Sequence, residues 1–156
     1  MPSPTTAFII TQRAGACRRI ALSSNDYAQN ELIPDLLSNS HFSTVGISHL
    51  TTSHQHLAQP VLRAEETENG FVLSGFSPWV TGAVQADTIV VGAQLEDGRQ
   101  ILTVVPTNIP GVRPLKFIRT SSTPSSFNFF PISSFSFFKY SSALSFNSLA
   151  VFSSIA

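Results

Sequence analysis

Three regimes of hydrophobic and polar spacing follow one another along the chain. In residues 1–41, Phe8, Ile9, Gln12, Ala16 and Ile20 fall on one face at helical spacing, which predicts an N-terminal helix. Ser3 or Thr5 is placed to cap its start, and Ser23-Ser24-Asn25-Asp26 breaks or restarts it. A second short helix is expected around "NDYAQNELIPDLLSN", where Pro34 has to open a new turn and Asn39 is a helix stop.

The period changes over residues 42–116. "PVLRAEE" and "GFVLSGFS" flank Thr67-Glu68-Asn69-Gly70, whose Asn-Gly pair supplies the positive φ angles of a tight hairpin. "ADTIVVGAQL" and "RQILTVVP" flank Glu96-Asp97-Gly98, a second hairpin of the same kind. Ile89, Val91 and Ala93 alternate with Val90, Gly92 and Gln94, so the strand is apolar on both faces near its centre and belongs inside a sheet or barrel.

Residues 117–156 obey neither rule. Nine of the 13 Phe lie here among serines, with no acidic residue and no sustained period of two or 3.6. Disorder favours charge and low hydrophobicity, so the composition does not fit an ordinary disordered tail either. The stretch reads as one not shaped for a fold, as a frameshift or a mis-called gene end would leave it. A true apolar tail that docks on a partner is the alternative, and uncharged aromatic windows make either an aggregation hazard. The expected class is therefore α+β: short N-terminal helices, then a small antiparallel β-barrel-like domain, then an irregular C-terminal tail.

Composition narrows the function. A length of 156 residues suits one domain, and nine basic residues balance nine acidic ones. The last acid is Asp97; Arg99, Arg113, Lys116, Arg119 and Lys139 beyond it are too sparse for a nucleic-acid surface. No apolar run reaches the roughly 18 residues of a membrane span. Cys17 is the only cysteine, so no intrachain disulfide can form and a reducing, cytoplasmic setting is expected. "RAGAC" has the look of a lipoprotein cleavage site, but Gln12 and Arg13 interrupt the short "AFII" core that an export signal needs.

Few residues offer chemistry of their own. His49, His54 and His56 lie close in sequence without a Cys or carboxylate at zinc spacing, so they read as loop histidines and no metal is expected. Asp87, at the start of a strand, reads as a turn cap. Glu65, Glu66 and Glu68 read as a solvated edge that discourages strand pairing. No G-x-S-x-G elbow supports a hydrolase, and no catalytic residue is assigned.

The stretch "GFVLSGFSPWVTGAVQADTIVVGAQLEDGR" resembles the acyl-CoA dehydrogenase family. There a strand, a Gly and a Trp-Ile-Thr triplet lead through a short turn to Ala-Asp and a run of Val. Here the triplet is Trp79-Val80-Thr81 and the dipeptide is Ala86-Asp87. The stretch "LIPDLLSNSHFSTVGISHLTTSHQHLAQPVLRAEETENG" is similar to the passage from the family's N-terminal helical domain into its middle β-domain. The resemblance spans roughly residues 5–115, so residues 1–41 read as a remnant of the helical domain and 42–116 as the middle domain. The loop Ser48–His54 lacks the family's glycines, and Ser77 stands where a Lys is common.

The resemblance implies an oxidoreductase that holds FAD. Trp79 would stand against the isoalloxazine ring and Thr81 would hydrogen-bond beside its reactive nitrogen, with Val80 between them. Val45, Gly46, Ile47 and Ser48 would lend backbone groups to the pyrimidine side, Ser48 at the family's Thr position. Complete relatives dehydrogenate an acyl-CoA or similar thioester at its α,β-carbons and hand electrons to an acceptor that the sequence does not name. A homo-oligomer or a complementing chain is the implied partner. The family's base is a carboxylate on a C-terminal helical bundle, which this sequence lacks after Asp97, so the expectation is a fragment inactive alone. The alternative is a non-catalytic β-domain that serves as an interaction module.

Overall fold

The computed structural model describes residues 3–51, 62–68, 70–116, 136–145 and 150–152. Helix α1 spans Pro4–Ala21; Ser3 caps it by accepting from the Thr6 N–H, and Arg18 and Arg19 lie in its last turn, where the helix dipole favours cations. Of the face expected to be buried, only Ala16 and Ile20 are; Phe8 and Ile9 are 40% and 37% exposed. The next helical stretch begins as a π-helical turn, Ala28–Leu32, and tightens into α2, Ile33–Leu37, with Pro34 in its first turn. The wide turn has a local cause. Pro34 has no N–H to donate to the carbonyl of Asn30, and its ring would crowd that carbonyl in an α-helix. Asn39 follows with φ of +58°, the left-handed stop its side chain tolerates.

Strand β1 is Ser43–Gly46, a short helical turn α3 covers Ser48–Thr51, and β2 and β3 are Leu62–Thr67 and Gly70–Ser77. They are followed by β4, Thr88–Gln94, β5, Gln100–Pro106, and β6, Arg113–Lys116. Strands β7, Ser136–Ser145, and β8, Ala150–Phe152, complete the set. The order is β6-β7-β3-β2-β4-β5-β8, with β1 paired to β4 off this path. Both expected hairpins form: β2 and β3 pair from Leu62↔Gly75 to Thr67↔Gly70, and β4 and β5 from Thr88↔Pro106 to Gln94↔Gln100. Asn69 lies outside the described residues.

Two expectations are corrected. The sheet is mixed, because β1 runs parallel to β4 and β2 meets β4 in parallel at Arg63↔Gln94. Since β5 occupies one edge of β4 throughout, β1 and β2 share the other edge, entering from the same end. Nor is the tail irregular throughout, since β7 pairs with β3 and β6, and β8 pairs with β5. This topology requires curvature. Flat, β7 and β8 would stand five strand spacings apart, about 24 Å. The chain between Ser145 and Ala150 reaches at most about 18 Å. The sheet is accordingly a curled half-barrel.

Each face of β4 feeds a different core. Ile89, Val91 and Ala93 enter the half-barrel with Leu62, Leu73, Val80 and Val105. Val90 faces the helices with Ala16, Ile20, Leu36, Val45 and Val104. Each Val, Leu or Ile so buried contributes about 1.5–3 kcal/mol. On the helical face Gly92 makes room for Leu50 of α3: a β-carbon there would collide with its Cδ1. Gly92→Ala is therefore expected to cost about 1–3 kcal/mol in urea unfolding, and combining it with Leu50→Ala should cost less than the sum of the single changes.

At the β4–β5 tip Gly98 takes φ of +89°. The Arg99 backbone N–H and guanidinium both donate to the Asp97 carboxylate, the latter at 2.6 Å, and hold its pKa below the ordinary 3.8. A depressed carboxylate pKa adds stability above the unfolded value, and that stability is lost as pH falls through the folded one. Asp97→Asn should lower stability slightly at neutral pH, where the contribution is fully present, and flatten the profile below about pH 4 so that variant and wild type converge in acid.

Candidate functional site

The two stretches singled out by sequence meet in space. β1 delivers Val45 and Gly46 to its C-terminal end, Ile47 and Ser48 follow, and β3 ends at Ser77 with Pro78, Trp79, Val80 and Thr81 turning away from it. Side-chain hydroxyls bond to backbone carbonyls across the gap. Ser77 Oγ donates to the Gly46 carbonyl at 2.8 Å, Ser48 Oγ to that of Pro78 at 3.2 Å, and Thr44 Oγ1 to that of Thr81 at 2.8 Å. Gly46 is needed for the approach, because a β-carbon there would sit 2.7 Å from both Ser77 Oγ and Val80 Cγ2.

Trp79 is the unusual residue. Its φ is +63°, a left-handed conformation that costs a non-glycine residue about 1–2 kcal/mol, and the residue is 53% exposed. Val80 beside it is fully buried in the half-barrel core, so its side chain anchors the segment. Val45 is likewise buried, on the helical side. Ile47, Ser48 and Thr81 are half-buried. A rigid stretch thus presents an indole outward, with two hydroxyl-bearing residues in the bonded segments around it.

Asp87 ties the far end of the turn. Its carboxylate accepts from the Phe42 N–H at 2.8 Å, while its own N–H donates to the Phe42 carbonyl at 2.8 Å. Thr107 adds an N–H bond to the Asp87 carbonyl and a hydroxyl bond to that of Ala86. The expected turn cap is therefore a three-way clasp of the chain entering β1, the chain entering β4 and the chain leaving β5. His54 and His56 lie outside the described residues, and among the described residues no cluster of His, Cys, Asp or Glu could hold a metal.

Two open clefts, of about 490 and 560 Å³, lie elsewhere, where β2 and β4 diverge beyond Arg63 and Gln94. Glu65 and Glu96 line both, and Arg99, which pairs with Glu66 at 3.3 Å, lines the second. Among the described residues neither is lined by an aromatic side chain or by any residue of the Trp79 segment. Trp79 itself stands 53% exposed, away from both clefts. Sequence reasoning singled out Trp79 and Thr81 through the Trp-Val-Thr triplet; it gave no role to the hydroxyls of Thr44 and Ser77, which carry no signal until the fold sets them against backbone carbonyls. No helix among the described residues is long and apolar enough to cross a membrane.

No protein-family model matches this sequence, and no curated protein does. Solved structures do match by fold. FkbI, for biosynthesis of the methoxymalonyl extender unit of a polyketide immunosuppressant, superposes with a TM-score of 0.72 at 20% identity, covering 96% of this chain and 39% of that one. A glutaryl-CoA dehydrogenase from Mycobacterium smegmatis in complex with FADH2 gives 0.66 at 21% identity, covering 86% and 33%. An acyl-CoA dehydrogenase complexed with FAD from Bacillus anthracis gives 0.62 at 18%, covering 86% and 23%. The fold is that of part of an acyl-CoA dehydrogenase, in agreement with the resemblance read from the sequence. The chain spans between 23% and 39% of the length of these three structures.

The exposure of Trp79 has a spectroscopic consequence. Trp79 is the only indole, so the chain should fluoresce with a water-like, red-shifted maximum and quench readily with iodide. Blue-shifted, quencher-resistant emission would mean that the indole is covered.

Proposed function

We propose that this chain forms the flavin-facing part of an acyl-CoA dehydrogenase-type oxidoreductase, and that the face bearing Trp79 and Thr81 binds FAD. The observation that carries the reading is the half-exposed indole on a left-handed residue, in a segment bonded to the end of β1. A flat heteroaromatic ring needs such a rigid wall, and strained backbone of this kind concentrates where a ligand is clamped. The donor set fits as well: Thr81 brings a hydroxyl group, and Val45, Gly46, Ile47 and Ser48 bring backbone groups from the adjoining segment.

When bound, the flavin supplies hydride acceptance for α,β-dehydrogenation of an acyl thioester; the protein's part is to orient the ring and tune it. Trp79 would cover one ring face and exclude water from it. Thr81 and the Val45–Ser48 backbone would fix the ring edge, with Val80 holding the segment to the core. Five of the nine carboxylates are engaged elsewhere: Glu65, Glu66, Glu96 and Asp97 line the β2–β4 clefts, and Asp87 accepts from the Phe42 N–H. Our reading is accordingly that the proton-abstracting base comes from outside these 156 residues and that the chain is inactive alone.

A flavin titration of the whole chain, followed by Trp79 fluorescence, tests this. Saturable quenching by FAD is expected, lost in Trp79→Phe, with affinity about 2–10-fold weaker in Thr81→Ala, the worth of one hydrogen bond. Absence of quenching in a folded chain would overturn the flavin site and leave the interaction-module reading.

A further inference from the structure

Residues 77–81 are bent into a conformation that their own sequence does not favour. Pro78 fixes one φ, Trp79 sits at +63°, and the side chain of Val80 is drawn fully into the core, leaving the indole outside. A non-glycine residue persists in the left-handed region only when its surroundings over-determine it. Two fully buried hydroxyls do so here. Ser77 and Thr44 each have no solvent exposure. Each spends its hydroxyl on a backbone carbonyl of the opposite stretch, Ser77 on Gly46 and Thr44 on Thr81, both at 2.8 Å. One bond lies two residues before Trp79 and the other two residues after it, so together they bracket the strained residue.

Among the fully buried hydroxyls the role is specific to these two, and the half-buried Ser48 adds a longer bond, 3.2 Å, to the Pro78 carbonyl. Ser43 and Thr103 are equally buried, yet their hydroxyls have no hydrogen-bond partner among the described residues. Gly46 closes the arrangement, since any β-carbon there would collide with Ser77 Oγ and Val80 Cγ2, the two groups that flank Trp79 from inside. We propose that Ser77 and Thr44 are positioning residues, whose hydroxyls act through the Gly46 and Thr81 carbonyls to hold Trp79 left-handed and so set the direction of its exposed indole. Neither touches a ligand. The consequence for flavin rests on the proposed function, whereas the consequence for indole order does not.

The full chain tests both parts. Near-UV circular dichroism of Trp79 without flavin reads the order of the indole, and FAD titration reads the wall. In Ser77→Ala and Thr44→Val the indole band should collapse and FAD affinity should fall about tenfold, with far-UV signal retained. Thr44→Ser, which keeps the hydroxyl, should restore both, and Thr103→Val, which removes a buried hydroxyl elsewhere, should change neither. If Ser77→Ala does not fold, the Thr44→Val and Thr44→Ser pair decides. An unchanged indole band in Thr44→Val, or equal loss in Thr44→Ser, would overturn the proposal. Wild-type protein with an ordered indole but no FAD binding would defeat the flavin reading alone, and the near-UV comparison would still decide the positioning role.

Discussion

β4 is the strand on which the rest of the structure is registered. Both of its edges are hydrogen-bonded, to β5 along one side and to β1 and β2 in succession along the other, and both of its faces are apolar. A strand buried in this way cannot slip by one residue. The shift would exchange the helix-facing set of Val90 and Gly92 with the barrel-facing set of Ile89, Val91 and Ala93, and would drive α3's Leu50 against a side chain instead of the Gly92 notch. With β4 held, Ser43–Gly46 is held beside Thr88–Val91, and the position of the β1 exit follows.

That exit is the foundation of the candidate site. Gly46 pairs with Val91, its carbonyl accepts from Ser77, and its missing β-carbon lets Val80 approach. The Trp79 segment is thereby attached to the most constrained part of the sheet and not left as a free loop. Asp87 repeats the device at the other end, with its carboxylate on the Phe42 N–H just before β1. Such attachment leaves the segment little conformational freedom, so little would be lost on ordering it against any ligand.

The helical layer shows how far local pattern reaches and where it stops. Pro34, Asn39 and Ser3 act as their chemistry prescribes, as a new turn, a left-handed stop and an N-cap. The buried face of α1 was only half legible, because periodicity specifies which residues share a side and says nothing about how far the sheet extends beneath them. Ala16 and Ile20 lie over β1 and β4, whereas Phe8 and Ile9 lie at the end of the helix that remains exposed. For the same reason β7 and β8 were not legible. Their Ser and Phe carry no clean alternation, and their pairing with β3 and β5 depends on edges that other parts of the chain present.

What the sequence determined by itself is local: the helix caps, the two hairpins, the doubly apolar β4, and a Trp-Val-Thr triplet whose likeness to the acyl-CoA dehydrogenases the fold shares. These are properties of residues and their near neighbours, where side-chain period and backbone preference act directly. The tertiary structure alone decided the parallel pairings of β1 and β2 with β4, the left-handed backbone of Trp79, and the bonds from Thr44 and Ser77 that bracket it. Those bonds join residues 31 and 37 positions apart. A buried hydroxyl in a strand has many carbonyls it could satisfy, and only the packing of the half-barrel selects which one it meets.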